Sequence, residues 1–166
     1  MRFGPWVGSA EHAARRWTDL WTRAGIKVQY ADHIRQVKWA KLCWNAVFNA
    51  LTAGMQCALG DVLDAPQLRQ VGEEAVREIQ TVARTQGVTL DEALMQKMFD
   101  DTETIRDQHT SMYVDLQAGR PTEIDWINGA IVRLGEKIGA ATPVNRALRM
   151  LVKMQERLRI HQPTTT

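Results

Sequence analysis

Apolar residues at Ala13, Ala14, Trp17, Leu20 and Trp21 recur three and four apart after Ser9 and stop at Gly25, which predicts an amphipathic helix over about 10–24. A short extended piece from Ile26 to Tyr30 follows, the one brief strand the pattern suggests. Between Ile34 and Cys57 the pattern changes to a long helix that is apolar almost all the way round, with Asp32 as its expected N-cap. With Val37 at zero on a wheel of about 100° per residue, Lys41, Thr52, Asn45, Lys38, Gln56 and Asn49 fall within roughly 40° to 120°. Trp39, Leu42, Cys43, Trp44, Val47, Phe48, Leu51 and Met55 share the rest of the circumference with alanines, so this helix is expected to be buried, loosening around Gly54 to Gly60.

Pro66, Leu68, Val71, Ala75, Ile79 and Val82 predict a third helix ending near Gly87, and Thr89-Leu90-Asp91-Glu92 reads as the capped start of a fourth through Met98 and Phe99. Gly119-Arg120-Pro121 separates a short helix near Met112–Ala118 from one expected to begin after Thr122, where Thr122 and Asp125 fit a capping box. Ile124, Ile127, Ile131, Leu134 and Ile138 form its core-facing row up to Gly139. Thr142-Pro143 opens the last helix, lined by Val144, Ala147, Leu148, Leu151 and Leu158, and 161–166 are a polar tail expected to fray. The fold class is therefore all-α, a multi-helix domain.

The 166 residues, 45% apolar and 24% charged, suit a globular fold with a substantial core. A balance of 21 basic against 19 acidic residues leaves no electrostatic footprint for nucleic acid or an anionic membrane. The polar stripe makes Ile34–Cys57 too polar for a lone membrane span, and no signal peptide is seen, so the expected location is cytoplasmic. Cys43 and Cys57, on one helix roughly 21 Å apart along its axis, are beyond disulfide reach and read as small buried hydrophobes. His12, His33, His109 and His161 are scattered without a second ligand at metal spacing, so no metal site is expected.

Candidate chemistry concentrates on the stripe. Lys41, Asn45 and Asn49 stand four apart and climb one side of the helix over about 12 Å, each turned roughly 40° from the last. An ammonium and two amides suit a small molecule with carboxylate, carbonyl and hydroxyl groups, although buried polar groups more often meet structural partners. Glu123, read as lying just inside a helix start, is explained by the helix dipole and is also placed to orient Lys41. Ser111 is either a cap, with Thr110 as rival, or a donor to a ligand carboxylate. No G-x-G-x-x-G follows a strand, so this chain cannot grip a dinucleotide by that device.

Two stretches together are specific. Trp39-Ala40-Lys41-Leu42-Cys43-Trp44-Asn45, continuing through Phe48-Asn49-Ala50-Leu51-Thr52-Ala53, resembles the W-x-K-x-x-x-N-x-x-x-N-x-L-T-A signature of ketopantoate reductases. Thr110-Ser111-Met112 to Asp115 and Gly119-Arg120-Pro121-Thr122-Glu123-Ile124-Asp125 to Asn128-Gly129 resemble that family's S-S-M-x-x-D and G-R-x-T-E-I-D-x-x-N-G, and Thr142-Pro143-Val144-Asn145 its last helix start. The resemblance implies the helical C-terminal domain of the 6-phosphogluconate dehydrogenase-like reductases over 32–162, a remnant of the nucleotide-binding domain and connector over 1–31, and a flexible tail at 163–166. It implies NADPH-dependent reduction of 2-dehydropantoate to pantoate, a step toward pantothenate and coenzyme A. Lys41 would be the general acid, Asn45, Asn49 and Ser111 would bind the small 2-oxo acid, and Glu123 would contact substrate or cofactor ribose and help place Lys41. The resemblance also implies that NADPH is bound mainly by a dinucleotide-binding domain absent from this chain, so the chain is expected to be half an enzyme, inactive alone. Leu59 departs from the family, some members of which have Asn there. The alternative is a non-catalytic helical module that self-associates through apolar surface bared around Trp17 and Trp21.

Overall fold

Two short strands, β1 (Arg2–Phe3) and β2 (Gln29–Tyr30), pair in parallel with Phe3 opposite Tyr30, and α1 (Glu11–Arg23) makes the crossover that a parallel pair requires. This is the computed structural model of the chain, which describes residues 1–160; the tail expected to fray lies outside the described residues. Where the sequence pattern suggested one strand there are two, because two residues are too few to show an alternation. Gly4 lets the pair close, since a Cβ there would lie 2.0 Å from the Ala31 carbonyl oxygen. These elements belong to the first of two units, Met1–Lys41.

α2 (Ile34–Trp44) starts after His33, whose carbonyl accepts from Val37 N at 3.2 Å. Asp32, the expected cap, instead accepts from Arg15 Nη2 at 3.1 Å. α2 runs into the second unit, which begins at Leu42, and there the helix does not stay regular: Asn45–Asn49 form a π-turn before α3 (Ala50–Met55) resumes. Gln56 ends the run in the left-handed region at φ 57°, so Cys57 lies past the helix and is half-buried.

Where loosening was expected, a further short helix, α4 (Leu59–Asp64), forms, and Asp61 in its first turn accepts from Ala58 N at 2.8 Å. Gly60 reads as a breaker but serves close packing, donating its N–H to the Arg106 carbonyl at 2.7 Å. α5 (Pro66–Thr85) and α6 (Glu92–Glu103) follow, the latter capped by Asp91, which accepts from Leu94 N at 2.8 Å. α7 (Ser111–Gln117) is capped by Thr110, and α8 (Asn128–Ile138) begins later than expected. Residues 124–127 form turns instead, with the Glu123 carbonyl accepting from Trp126 N at 2.9 Å and Ile127 N at 3.0 Å. The last helix is α9 (Pro143–Ile160).

The π-turn and α3 are the centre of the second unit. Ala46, Val47, Phe48 and Ala50 are fully buried, α3 packs on α7 and α9, and α5 crosses the π-turn. α9 turns Asn145, Leu148 and Val152 inward, three and four apart, while Ala147 and Leu158 of the expected row are exposed. Ile138, the last of the isoleucine row, is exposed as well.

Gly72 of α5 marks the closest approach to the π-turn: a Cβ there would lie 2.8 Å from Val47 Cγ1 and 3.3 Å from Phe99. Gly72→Ala gains up to about 1 kcal/mol in helix propensity but overpacks a filled core at about 1–3 kcal/mol. Net destabilisation is the expected outcome, read as a lower urea midpoint; a raised midpoint would show that Val47 gives way freely.

Candidate functional site

The sequence assigns two side chains of the π-turn to the site, and the structure treats them differently. Asn49 is 3% exposed and its Oδ1 has no hydrogen-bond partner among the described residues. Asn45, at the start of the turn, is half-buried. The steady 40° drift expected between them does not hold. An i→i+5 ladder advances only about 80° per residue, so over the turn Asn49 comes roughly 30° to 40° behind Asn45 instead of about 40° ahead of it.

Past Asn49, Thr52 continues the polar stripe and finds structural partners. Its Oγ1 bonds the Phe48 carbonyl at 2.7 Å and the Thr110 hydroxyl at 2.8 Å. Both threonines are buried. Thr110 also accepts from Tyr113 N at 3.3 Å, which settles the choice of cap for α7 and leaves the neighbouring Ser111 hydroxyl exposed and without a partner among the described residues. The Thr52–Thr110 contact therefore ties the end of α7 that carries Ser111 to the helix that carries Asn49.

Glu123 stands on the loop between α7 and α8, not inside a helix. Its carboxylate is exposed and makes no hydrogen bond or ion pair among the described residues. The expected capping box is not formed. Thr122 is instead held by Glu156 of α9, whose Oε1 accepts from Thr122 N at 2.9 Å and from its hydroxyl at 2.6 Å. Asp125 pairs with Arg149 at 2.6 Å and with Lys153 at 3.3 Å. Lys41, the last residue of the first unit, is exposed and likewise unpaired among the described residues. Cys43, within the helix, is inert: burial pushes its thiol up to about 12.

The carboxylates holding the Glu123 loop have a pH signature. The hydrogen bond from Arg149, backed by Lys153, holds the Asp125 carboxyl below its usual value against a smaller effect of burial. Burial pushes Glu156 up, but hydrogen bonds from Lys153 and Thr122 outweigh it, so its net shift is also downward. Groups depressed on folding contribute stability that is complete above their unfolded values and drains as pH falls through the folded ones. Both carboxyls should titrate by NMR below the ordinary range, with the amide resonances of 119–127 moving in step; an ordinary or raised value for Glu156 would mean the Thr122 clasp is open in solution.

Among the described residues, no group of three His, Cys, Asp or Glu is placed to hold a metal ion, and no helix is long and apolar enough to cross a membrane.

Comparison with known proteins decides the family. The family model "Ketopantoate reductase PanE/ApbA C terminal" matches residues 33–156, most of the chain. The chain belongs to the ketopantoate reductase family. A 2-dehydropantoate 2-reductase of Pyrobaculum aerophilum is 35% identical over 140 residues, covering 84% of this chain and 50% of that protein. One from Vibrio cholerae is 36% identical over 139 residues, covering 83% of this chain and 47% of that protein. The chain thus spans about half the length of the curated relatives it matches. Among solved structures, a PanE/ApbA family ketopantoate reductase from Ralstonia eutropha superposes with TM-score 0.82 at 33% identity, over 89% of this chain and 50% of that one. D-mandelate dehydrogenase, solved with NADH and anilino(oxo)acetate, gives TM-score 0.88 at 29% identity, over 96% of this chain and 67% of that one.

In this ketopantoate reductase C-terminal domain, one polar cluster escaped the sequence reading. Asn128 and Asn145 are both 0% exposed. Asn128 Nδ2 donates to the Ala46 carbonyl at 3.0 Å and to Asn145 Oδ1 at 3.1 Å. Asn145 Nδ2 donates to the Ala75 carbonyl at 3.1 Å and to Glu78 Oε2 at 2.7 Å. Both asparagines lie inside the quoted family motifs; the available signal was an amide on an otherwise apolar row, the isoleucine row for Asn128.

Proposed function

We propose that the chain is the substrate-binding and catalytic part of an NADPH-dependent 2-dehydropantoate 2-reductase, reducing ketopantoate to pantoate in the cytoplasm. In this reading Lys41 donates a hydrogen bond to the keto oxygen and gives it a proton as negative charge builds there, which favours the transition state over the ground state. Asn45 and Asn49 hold the substrate hydroxyl and carboxylate, Ser111 binds the carboxylate end, and Glu123 reaches substrate or ribose and helps place Lys41. NADPH, when bound, supplies the hydride. Of the groups that would hold it, this chain offers Glu123, exposed and unpaired; the pyrophosphate calls for a glycine-rich turn, and no G-x-G occurs in the sequence. Residues 1–31 are read as belonging to the nucleotide-binding half, and the chain alone is inactive until that half is supplied.

The observation that carries this reading is the orphaned Asn49 Oδ1. A buried amide oxygen without a donor costs about 1–3 kcal/mol, and a ligand hydroxyl would meet it. Titrating the chain with ketopantoate while following the side-chain amide resonances of Asn45 and Asn49 tests it. Saturable shifts at both are expected; shifts confined to other residues would withdraw the assignment. Mixing the chain with a dinucleotide-binding half should yield NADPH oxidation that neither gives alone, and turnover by the chain alone would remove the dependence on that half.

A second reading, a non-catalytic module that associates through apolar surface, is favoured by Trp17 and Leu20 of α1, 52% and 53% exposed. Trp21, expected to share that surface, is half-buried and packs edge-on against Phe3 at 4.7 Å. A strictly monomeric species by light scattering at high concentration would count against the module.

A further inference from the structure

We infer that Asn128 is a positioning residue, whose amide holds the π-turn open and thereby sets the direction of the Asn45 and Asn49 amides. A π-turn is a rare and poorly bonded interruption of an α-helix, and it persists where something outside the ladder stabilises it. Widening the ring to i→i+5 takes a carbonyl out of regular i→i+4 bonding. Asn128 Nδ2 supplies a donor to Ala46 O, inside the turn, at 3.0 Å.

Packing alone does not account for an asparagine at this place. Its Nδ2 serves both Ala46 O and Asn145 Oδ1, but its Oδ1 is buried with no partner among the described residues. An apolar side chain would avoid that desolvation penalty, and only a donor meets the carbonyl. Asn145 keeps the donor aimed, since Asn145 is itself fixed by Ala75 O and by Glu78. From the other side, Gly72 lets α5 lie directly against Val47 in the turn. The widened turn sets Asn49 roughly 30° to 40° behind Asn45 instead of about 40° ahead of it, and so changes where the second amide faces relative to the first. The consequence for a ligand rests on the proposed reductase reading; the hold on the turn does not.

The experiment compares Asn128→Ala with Val152→Ala, a second fully buried truncation in the same unit, by NMR of the 166-residue chain without ligand. In Asn128→Ala we expect the Ala46 carbonyl carbon resonance to move, amide exchange over 46–50 to accelerate by about tenfold or more, and the Asn45 and Asn49 side-chain amides to shift. Val152→Ala should leave all three signals in place. If Asn128→Ala does not fold, Asn128→Leu keeps nearly the shape while removing the donor and should give the same local changes. Changes of equal size in both truncations, or an unmoved Ala46 resonance, overturn the positioning role. Ketopantoate is then added to the wild-type chain: no shift at Asn45 or Asn49 counts against the reductase reading alone, whereas shifts that Asn128→Ala weakens and Val152→Ala does not extend the positioning role to the ligand.

Discussion

In the proposed role of Lys41, Lys41→Ala in an enzyme assembled from this chain and a dinucleotide-binding half should lower kcat by about 10²- to 10⁴-fold, the range over which a positioned general acid acts. The loss should fall on kcat more than on KM, because in that role the charge that the ammonium would meet develops at the keto oxygen only as reduction proceeds. Lys41→Arg should not restore it. A guanidinium keeps the positive charge but does not give up a proton, so any activity Arg retains measures the electrostatic part of the role separately from proton transfer. Asn49→Ala should act in the opposite sense, raising KM more than it lowers kcat, since in its proposed role the amide would hold ground state and transition state alike. That Lys41 has no salt bridge or hydrogen bond among the described residues matters here, because an ammonium locked in an ion pair would first have to break it. Steady-state kinetics of the three variants decide the case. Unchanged kcat in Lys41→Ala removes that residue from the acid role and returns the reaction's proton to another donor.

The helices whose apolar residues repeat cleanly were legible in the sequence, and so was the burial of the long helix through Phe48 and Leu51. The π-turn was not, because a wheel assumes one angle per residue, and the residue that holds the turn open, Asn128, is far away in sequence. The same reason explains the misplaced start of α8. Thr122 and Asp125 have the local spacing of a capping box, but Glu156, 34 residues on from Thr122, takes the threonine hydroxyl, and Arg149 takes the aspartate. Local rules predict local partners and cannot anticipate a better tertiary one. Gly60 differs in another way: its backbone freedom predicts a break, whereas the fold uses its lack of a side chain beside Arg106. Of the site residues assigned by the family motifs, Lys41, Ser111 and Glu123 are exposed and Asn49 is buried, and physical patterning alone could not tell Ser111 from Thr110. The hydrogen bond from Tyr113 N to Thr110 makes that distinction.

Glu78→Ala and Asn145→Ala should be among the most destabilising substitutions in the second unit, each at about 2–4 kcal/mol, and markedly less than additive together. The carboxylate of Glu78 accepts from Val144 N at 2.8 Å and Asn145 N at 3.0 Å, the free donors at the start of α9, as well as from Asn145 Nδ2 at 2.7 Å. It therefore caps from another helix, where the positive end of the α9 dipole favours a negative charge. Removing it strands two backbone donors and half of a buried amide. Removing the Asn145 side chain takes one of three donors from Glu78, the side-chain donor from the Ala75 carbonyl, and the acceptor that aims the Asn128 amide at the π-turn. Because each substitution destroys the same cluster, the double variant should lose less than the sum by about 1–3 kcal/mol, which a double-mutant cycle on urea midpoints measures. Glu78→Gln keeps an acceptor without the charge and should lose only about 1 kcal/mol, separating geometry from electrostatics. Additive losses would show that the cap of α9 and the support of the π-turn are separate devices, and the route from α5 through Asn145 to the candidate site would then have no energetic basis.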